Sequence, residues 1–331
     1  MKKLFPENLC GARSQRAVSR LSRHWFLPVF RTVLAGCLGA AVLFGQSAPP
    51  QPDFSKVEVK ILPVQGSVYM LVGAGGNSTV QVGKDGVLIV DTQYAPMAPK
   101  IMAAIRTLSA EPIKYIINTH VHGDHTGGNG ALAKLGGGGA MPRIIANDHV
   151  LNRMTTPGPG QPPVPDADWP NDEYFNPTKD FYFNNEAVIV YHMPAAHTDG
   201  DSVVFFRKSD VVSTGDIFTP ERYPFIDLQR GGTVQGIIDA LNHIIDITVP
   251  AKYQEGGTYV IPGHGRLCEE ADVVEYRDMV TIIRDRIADL IAKGKTLDQV
   301  KAARPTLDYD TQYGANDGFI EAIYKNLSAK K

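Results

Sequence analysis

The chain has 331 residues, of which 43% are apolar, so it can bury a sizeable core in one large domain or two small ones. The formal charge of −2 conceals an uneven distribution, since residues 1–47 carry seven Lys or Arg and one acid, which leaves −8 on the remainder. Global disorder is therefore excluded, and a nucleic-acid partner is disfavoured because phosphate binding needs a basic surface.

The first 47 residues have the order of a secretory signal peptide. A basic stretch from Met1 to Arg31 precedes an apolar stretch from Val33 to Phe44, and small residues follow. The apolar stretch is shorter than the roughly 20 residues that span a bilayer as a helix. We therefore expect export to the periplasm or medium with cleavage near Ser47; a retained membrane anchor is the alternative. Lipidation at Cys37 is disfavoured, because this cysteine precedes most of the apolar run.

The chain divides into a signal peptide (1–47), a Pro-rich linker (48–56) and a single folded domain (57–331). After the leader the chain keeps one cysteine, Cys268, so no internal disulfide can form there. Stability must then come from the core and from any bound metal.

Short β-type runs separated by Gly-rich turns open the domain and predict a meander of antiparallel strands. These runs are Val57–Leu62, Val68–Val72, Ser78–Val82 and Val87–Val90. A helix at Pro99–Leu108 and a buried strand at Tyr115–Asn118 come next, and this order predicts helices packed on a sheet.

The segment Pro157–Pro170 has six prolines and can form neither a central strand nor a helix interior. Two interpretations stay open: a surface excursion, or a flap (157–183) over a pocket with Trp169, Tyr174 and Phe175 as apolar contacts.

The second half of the domain repeats the order of strands followed by helices. Strands are predicted at Ala187–His192, Ser202–Phe206, Asp210–Ser213 and Tyr259–Ile261, and helices at Val234–Ile247 and Val273–Ala292. The last helix carries Val280, Ile283, Ile287 and Ile291 at helical spacing, which predicts one packed face and one solvated face.

Histidines gather in three segments, each at a strand end or in a Gly-rich loop: His120–His125 (HVHGDH), Ala196–Asp201 (AHTDGD) and Pro262–Gly265 (PGHG). In an extended segment alternate side chains point the same way, so His120 and His122 can hold one metal ion, while the following turn brings Asp124 and His125 towards a second. Imidazole and carboxylate groups are the ligands that zinc accepts. The sequence therefore predicts a metal site.

The HVHGDH run resembles the HxHxDH signature of the metallo-β-lactamase superfamily, and the segments around His197, Asp216 and His264 are similar to its later motifs in order and context. The resemblance implies an α+β fold, the αββα sandwich, in which two mixed sheets lie face to face with helices outside and the metals at one edge.

The resemblance also implies a ligand set for two zinc ions, with iron or manganese as alternatives. One ion is held by His120, His122 and His197, the other by Asp124, His125 and His264, and Asp216 bridges the two. A water shared between the ions then supplies hydroxide to attack a carbonyl. Asp124 is the candidate catalytic residue that orients this nucleophile and carries its proton.

Several other polar residues receive structural or supporting roles. Four carboxylates are candidates to hydrogen-bond the ligand histidines, namely Asp85, Asp91, Asp199 and Asp201. Asp91 is the best placed of them, with a simple strand-end cap as its alternative. His192, His149, His243 and Cys268 are expected to be structural.

The motif pattern is closest to the glyoxalase II and lactonase group with a bridging aspartate. Gly215-Asp216 stands where some zinc β-lactamases place a cysteine ligand, and the tail Val273–Lys331 lacks the glutathione-binding pattern of glyoxalase II. We therefore expect an exported dinuclear zinc hydrolase whose partner is a small molecule with a hydrolysable ester, thioester or lactone carbonyl. β-Lactam hydrolysis ranks second and a di-iron oxidoreductase is a remote alternative.

Overall fold

The computed structural model describes residues 52–156, 158, 162–253 and 256–329. The signal peptide expected at 1–47 and the first four residues of the linker, 48–51, lie outside these residues, so export stays a prediction. No helix in the described part of the chain is both long and apolar enough to cross a membrane.

The first sheet has seven strands in sequence order. Its strands are β1 (Lys60–Gln65), β2 (Val68–Val72), β3 (Ser78–Gly83), β4 (Gly86–Val90), β5 (Ile113–Ile117), β6 (Arg143–Asn147) and β7 (Asp172–Tyr174). The first four are antiparallel, which confirms the predicted meander, and β4 to β7 run parallel. β1 begins later than predicted because β2 ends at Val72, opposite Lys60, and residues 57–59 have no strand partner there.

The second sheet has six strands in the reverse order, β13 to β8. Its strands are β8 (Thr178–Phe183), β9 (Glu186–Met193), β10 (Asp201–Phe206), β11 (Val211–Ser213), β12 (Tyr259–Ile261) and β13 (Cys268–Glu269). Only the pair β11 and β12 is parallel among these described strands. Both sheets are therefore mixed, as expected.

The helices flank the sheets. They are α1 (Ala98–Leu108), α2 (Gly123–Thr126), α3 (Asn129–Gly136), α4 (Asp148–Thr155), α5 (Val234–Ile247), α6 (Glu270–Ala292), α7 (Leu297–Ala302), α8 (Asp310–Tyr313) and α9 (Asp317–Ser328). α6 begins three residues before the predicted helix because Glu269 and Asp272 form a capping box, in which each side chain bonds the other's backbone N–H. Six of the described helices were not predicted from the sequence: α2, α3, α4, α7, α8 and α9.

Three apolar layers hold the domain together. Alternate residues of β4 face opposite ways: Val87 and Ile89 pack under α1 and α3, whereas Leu88 and Val90 meet the second sheet. The side chains of β10 also face opposite ways: Val203 packs under α5 and α6, whereas Val204 faces the first sheet. Helix, sheet, sheet and helix thus form the αββα sandwich.

The parallel strands bring their carboxyl ends to one edge. The chain leaves β4 and β5 at Asp91 and Asn118, and it leaves β11 and β12 at Thr214 and Pro262. The two sheets are joined at this edge, where the Ser202 amide donates to the carbonyl of Thr119 over 2.7 Å. Loops that follow parallel strands meet there, which is where ligands bind in sheets of this kind.

Candidate metal centre

All seven sequence-predicted ligands lie at this edge. His120 and His122 follow β5, Asp124 and His125 belong to the short helix α2, and His197 lies in the turn between β9 and β10. Asp216 follows β11 and His264 follows β12. Their donor atoms form three overlapping groups, each with all atoms within 4.8 Å of one another: His120, His122 and His197; His120, His125 and Asp216; and Asp124, His125 and His264.

In the first group, ring nitrogens face each other closely. His122 Nδ1 lies 3.1 Å from His120 Nε2 and 2.9 Å from His197 Nε2. Each of these rings has a hydrogen-bond acceptor beside its other nitrogen, which places the ring hydrogen there and leaves a lone pair on each facing nitrogen. A cation between them would accept all three lone pairs, and the donor set therefore fits a metal ion.

A buried hydrogen-bond network of Asp91 and Thr119 holds the outer nitrogens of both His120 and His125. Asp91 Oδ2 accepts from His125 Nδ1 over 2.7 Å and from the Thr119 hydroxyl over 2.6 Å. Since the Thr119 hydrogen is used in this way, its oxygen accepts from His120 Nδ1 at 3.0 Å. Asp91 thus directs Nε2 of both rings towards the cluster, as expected from the sequence, at a residue with a left-handed φ of 60°.

His197 and His122 take their outer partners from one distant segment. His197 Nδ1 donates to the carbonyl of Phe225 over 2.6 Å, and His122 Nε2 donates to Asp227 Oδ2 over 2.9 Å. Asp227 was missed in the sequence because it belongs to none of the motifs. The available signal was general, since a ligand histidine usually has a carboxylate or carbonyl behind it.

The other two groups share His125 and contain two carboxylates, Asp124 and Asp216. His125 Nε2 lies 3.2 Å from Asp216 Oδ1 and 3.3 Å from His264 Nε2. His264 Nε2 is 3.3 Å from Asp124 Oδ2 and 3.4 Å from Asp216 Oδ1. Asp216 Oδ1 therefore lies beside His125 and His264, while Asp216 Oδ2 is 4.0 Å from His197 Nε2 in the first group. This position between the two proposed sets of ligands is the one expected of a bridging ligand.

Burial and charge set the protonation of the cluster. Burial lowers the pKa of His120 well below its usual value and that of His197 to about 4, so both rings are neutral and can bind a cation at neutral pH. Burial also opposes the charge on His125, but Asp216 and Asp91 outweigh it and raise its pKa well above the usual value. A positive charge between His125 and Asp216 is therefore favoured, whether a proton or a metal ion carries it.

The other candidate carboxylates act elsewhere. Asp85 accepts from the backbone of Asn184 at an exposed turn, and Asp199 pairs with Arg153 over 2.6 Å. Asp201 accepts from the hydroxyl and amide of Thr198, and burial raises its pKa to about 8. The expectation that these three side chains hydrogen-bond ligand imidazoles is wrong, because Asp85 accepts from the Asn184 amide, Asp199 from Arg153 and Asp201 from Thr198.

The remaining histidines and Cys268 have structural positions, as expected. His192 Nε2 donates to the Asp199 carbonyl over 2.9 Å, beneath the His197 turn. His149 and His243 lie on α4 and α5, and Cys268 is buried in the core under α6.

The three aromatic residues proposed for the flap do different things. Tyr174 is buried in β7 with its hydroxyl 2.7 Å from that of Ser202, and Trp169 packs against α4 with its indole N–H donating to Val164. Phe175 is 70% exposed. Two of the three therefore hold the segment to the domain, which favours the surface excursion.

Comparisons with known proteins agree with this fold. A family model described as the metallo-beta-lactamase superfamily matches residues 71–267. No curated protein is detectably similar in sequence.

Three solved structures illustrate the structural likeness. The stereoselective inverting sec-alkylsulfatase Pisa1 from Pseudomonas sp. has a TM-score of 0.61 at 17% identity over 81% of this chain and 50% of its own. A metallo-β-lactamase from Pontibacter korlensis has a TM-score of 0.53 at 14% identity, over 68% of this chain and 99% of its own. DIM-1 metallo-β-lactamase has a TM-score of 0.52 at 16% identity, with the same coverage. The chain spans about half the length of the alkylsulfatase, and at these identities the likeness shows the fold alone.

Proposed function

The chain belongs to the metallo-β-lactamase superfamily, and we propose that it is an exported hydrolase that holds two metal ions in the cluster at the sheet edge. The observation that carries the proposal is the arrangement of the imidazoles. Four of the five rings have an outer hydrogen-bond partner on one nitrogen and direct the other into the cluster.

The proposed ligands of one ion are His120, His122 and His197, and those of the other are Asp124, His125 and His264. Asp216 would bridge the two. Nitrogen and oxygen donors of this kind favour zinc, with iron and manganese as alternatives. When bound, the metal ions lower the pKa of a water molecule to supply a nucleophile and polarise the bond under attack.

Asp124 lies on the open side of the cluster. Its side chain is 25% exposed, whereas the ring of His125 beside it is fully buried. Burial by itself raises the pKa of Asp124, but the hydrogen bond from His264 and the charge on His125 lower it to about 2. The carboxylate is therefore ionised at neutral pH and can accept a hydrogen bond from water and take up its proton.

The proposed substrates are small molecules with an ester, thioester or lactone carbonyl. An aspartate at position 216, in place of a cysteine ligand, favours this class over β-lactams. Sulfate esters are a second candidate, because the likeness to a sec-alkylsulfatase extends over 81% of the chain against 68% for the β-lactamases.

Metal analysis combined with a substrate panel tests the proposal. The chain purified without residues 1–47 should contain about two metal ions and hydrolyse an aryl ester, a thioester or an acyl-homoserine lactone faster than a chromogenic cephalosporin. An alkyl sulfate tests the second candidate. Two bound irons with no hydrolysis would overturn the proposal in favour of redox chemistry.

Substitutions test both carboxylates. Asp216→Ala and Asp124→Ala should each lower metal content, because both side chains are proposed ligands, and Asp124→Ala should also lower turnover about 100-fold or more when metal is supplied in excess. Asp85→Ala, at an exposed turn away from the cluster, is the matched control and should change neither. Unchanged metal content and turnover in both site variants would contradict the assignment. Sequencing the amino terminus of the secreted protein tests export.

A further inference from the structure

One segment beside the cluster has both deeply buried and well exposed side chains. In residues 218–227, which we call the rim segment, Tyr223 and Ile226 are buried whereas Arg222 and Phe225 are exposed. The buried members fix its position: the ring of Tyr223 stacks on Phe319 at 5.1 Å and its hydroxyl donates to Asp310 over 3.0 Å.

The backbones of both exposed residues are held as firmly. The carbonyl of Arg222 accepts from the hydroxyl of Tyr276 over 3.0 Å, and the carbonyl of Phe225 accepts from His197 Nδ1 over 2.6 Å. The second bond ties the position of Phe225 directly to a proposed metal ligand. The two side chains are therefore presented by a rigid support, and their exposure is not the result of a loose loop.

The aromatic ring of Phe225 lies against two rings of the first group of ligands. Its ring centroid lies 5.8 Å from that of His197 and 6.1 Å from that of His122, yet the residue is 61% exposed. An exposed aromatic ring contributes little to the core, but an apolar group of a bound molecule would bury it favourably.

Arg222 places a cation over the bridging carboxylate. Its guanidinium lies 3.7 Å from Asp216 Oδ2, beyond hydrogen-bond distance, and its side chain is half exposed. Glu221, its acidic neighbour, lies against Gly265 and interacts with the charge of Arg266. Arg222 thus keeps a half-exposed guanidinium beside Asp216, where it can bind an oxyanion.

We propose that Arg222 and Phe225 form a substrate-binding rim that selects molecules carrying both an apolar group and an oxyanion, either a carboxylate or a sulfate, close to the bond that is cleaved. Phe225 contacts the apolar group and Arg222 pairs with the oxyanion. This inference rests on the proposed hydrolytic function and specifies its substrate class as small anionic amphiphiles.

Matched esters test the role of Arg222. Rates are measured with 4-nitrophenyl hexanoate and with its 2-carboxy derivative, which keeps the alkyl chain and adds a carboxylate next to the ester carbonyl. The wild-type chain should prefer the carboxylate ester by about tenfold in kcat/KM, and Arg222→Ala should remove that preference, with partial retention in Arg222→Lys. Arg143→Ala, an exposed arginine at the opposite edge of the first sheet, should keep the wild-type preference.

Chain length tests the role of Phe225. Phe225→Ala should raise KM for the hexanoate ester about tenfold and for the acetate ester far less, because only the longer chain reaches the ring. Tyr182→Ala, which removes an equally exposed aromatic side chain at the far end of β8, is the control and should change neither. Equal losses on all esters in the rim variants would overturn the inference and assign both residues a purely structural role.

Binding measurements separate this inference from the proposed function. Calorimetry with hexane-1-sulfonate and with hexanoate identifies the oxyanion, since affinity for the preferred one should fall about tenfold in Arg222→Ala. Binding that depends on Arg222 in a chain that hydrolyses none of the esters supports the rim and refutes the ester hydrolase. If the chain hydrolyses the esters but Arg222→Ala changes neither binding nor rates, the result supports the proposed hydrolase and refutes the proposed substrate-binding rim.

Discussion

Replacement of Asp91 by Asn tests whether the buried network behind the cluster controls metal binding. The change keeps side-chain size, and Asn tolerates the left-handed backbone that Asp91 adopts. The carboxylate accepts three hydrogen bonds, from the Thr119 amide over 2.8 Å, the Thr119 hydroxyl over 2.6 Å and His125 Nδ1 over 2.7 Å. An amide has one oxygen, so it cannot satisfy all three donors.

Either orientation of the introduced side-chain amide has a penalty. With its NH2 group towards the backbone N–H of Thr119, two donors face each other in a buried site, which costs about 1–3 kcal/mol of folding stability. With its NH2 group towards His125, the ring must place its hydrogen on Nε2, the nitrogen that faces the cluster. We therefore expect metal affinity to fall about 10–100-fold, or ~1.4–2.7 kcal/mol.

Zinc affinity is measured by competition with a chromophoric chelator, and the stability of the metal-free chain by urea unfolding. Asp85→Asn makes the same chemical change at an exposed turn, where the side chain accepts from the Asn184 amide over 2.9 Å, and should leave zinc affinity unchanged. If Asp91→Asn folds normally and binds zinc as tightly as the wild-type chain, then Asp91 does not set the ring orientation.

Two further predictions concern stability. Gly236→Ala should lower the free energy of unfolding in urea by about 1–3 kcal/mol, although Ala favours a helix by ~1 kcal/mol over Gly, because the added Cβ would overlap the Ala195 carbonyl oxygen. Gly318→Ala is the control and should not lower it, because the added Cβ there meets only a side-chain atom. Burial raises the pKa of Asp272, but its hydrogen bonds to Arg266 and the Glu269 amide outweigh this and lower it. The ionised Asp272 therefore adds to the free energy of unfolding above its unfolded pKa near 3.9, and this stabilisation is lost as the pH falls below that value. We expect Asp272→Asn to lower the free energy of unfolding by about 1 kcal/mol at pH 7 and by less at pH ~3. A deficit independent of pH would contradict this.

Much of the candidate site follows from short stretches of sequence. His120, His122, Asp124 and His125 lie within one run of six residues, so their chemistry and spacing are visible without a fold. The strands that bear the site are also local features, because alternating or continuous apolar runs bounded by glycines predict them directly. The sandwich itself was expected from a family resemblance and is confirmed by the two mixed sheets.

The contacts that support the ligands could not be predicted in this way. His122 and Asp227 are 105 residues apart, and Arg222 and Phe225 carry no motif. The helices α7 to α9 were also missed; α7 and α9 pack on α6, and Tyr313 of α8 contacts Tyr276 of α6.

The sequence by itself therefore determined which residue types can bind metal and roughly where along the chain they lie. Only the tertiary structure decided which nitrogen of each ring faces the cluster, Nδ1 for His122 and Nε2 for His120, His125 and His197. The physical reason is that the free nitrogen is selected by the hydrogen bond made by the other one. That partner comes from whichever distant segment the packing of the two sheets places behind the ring.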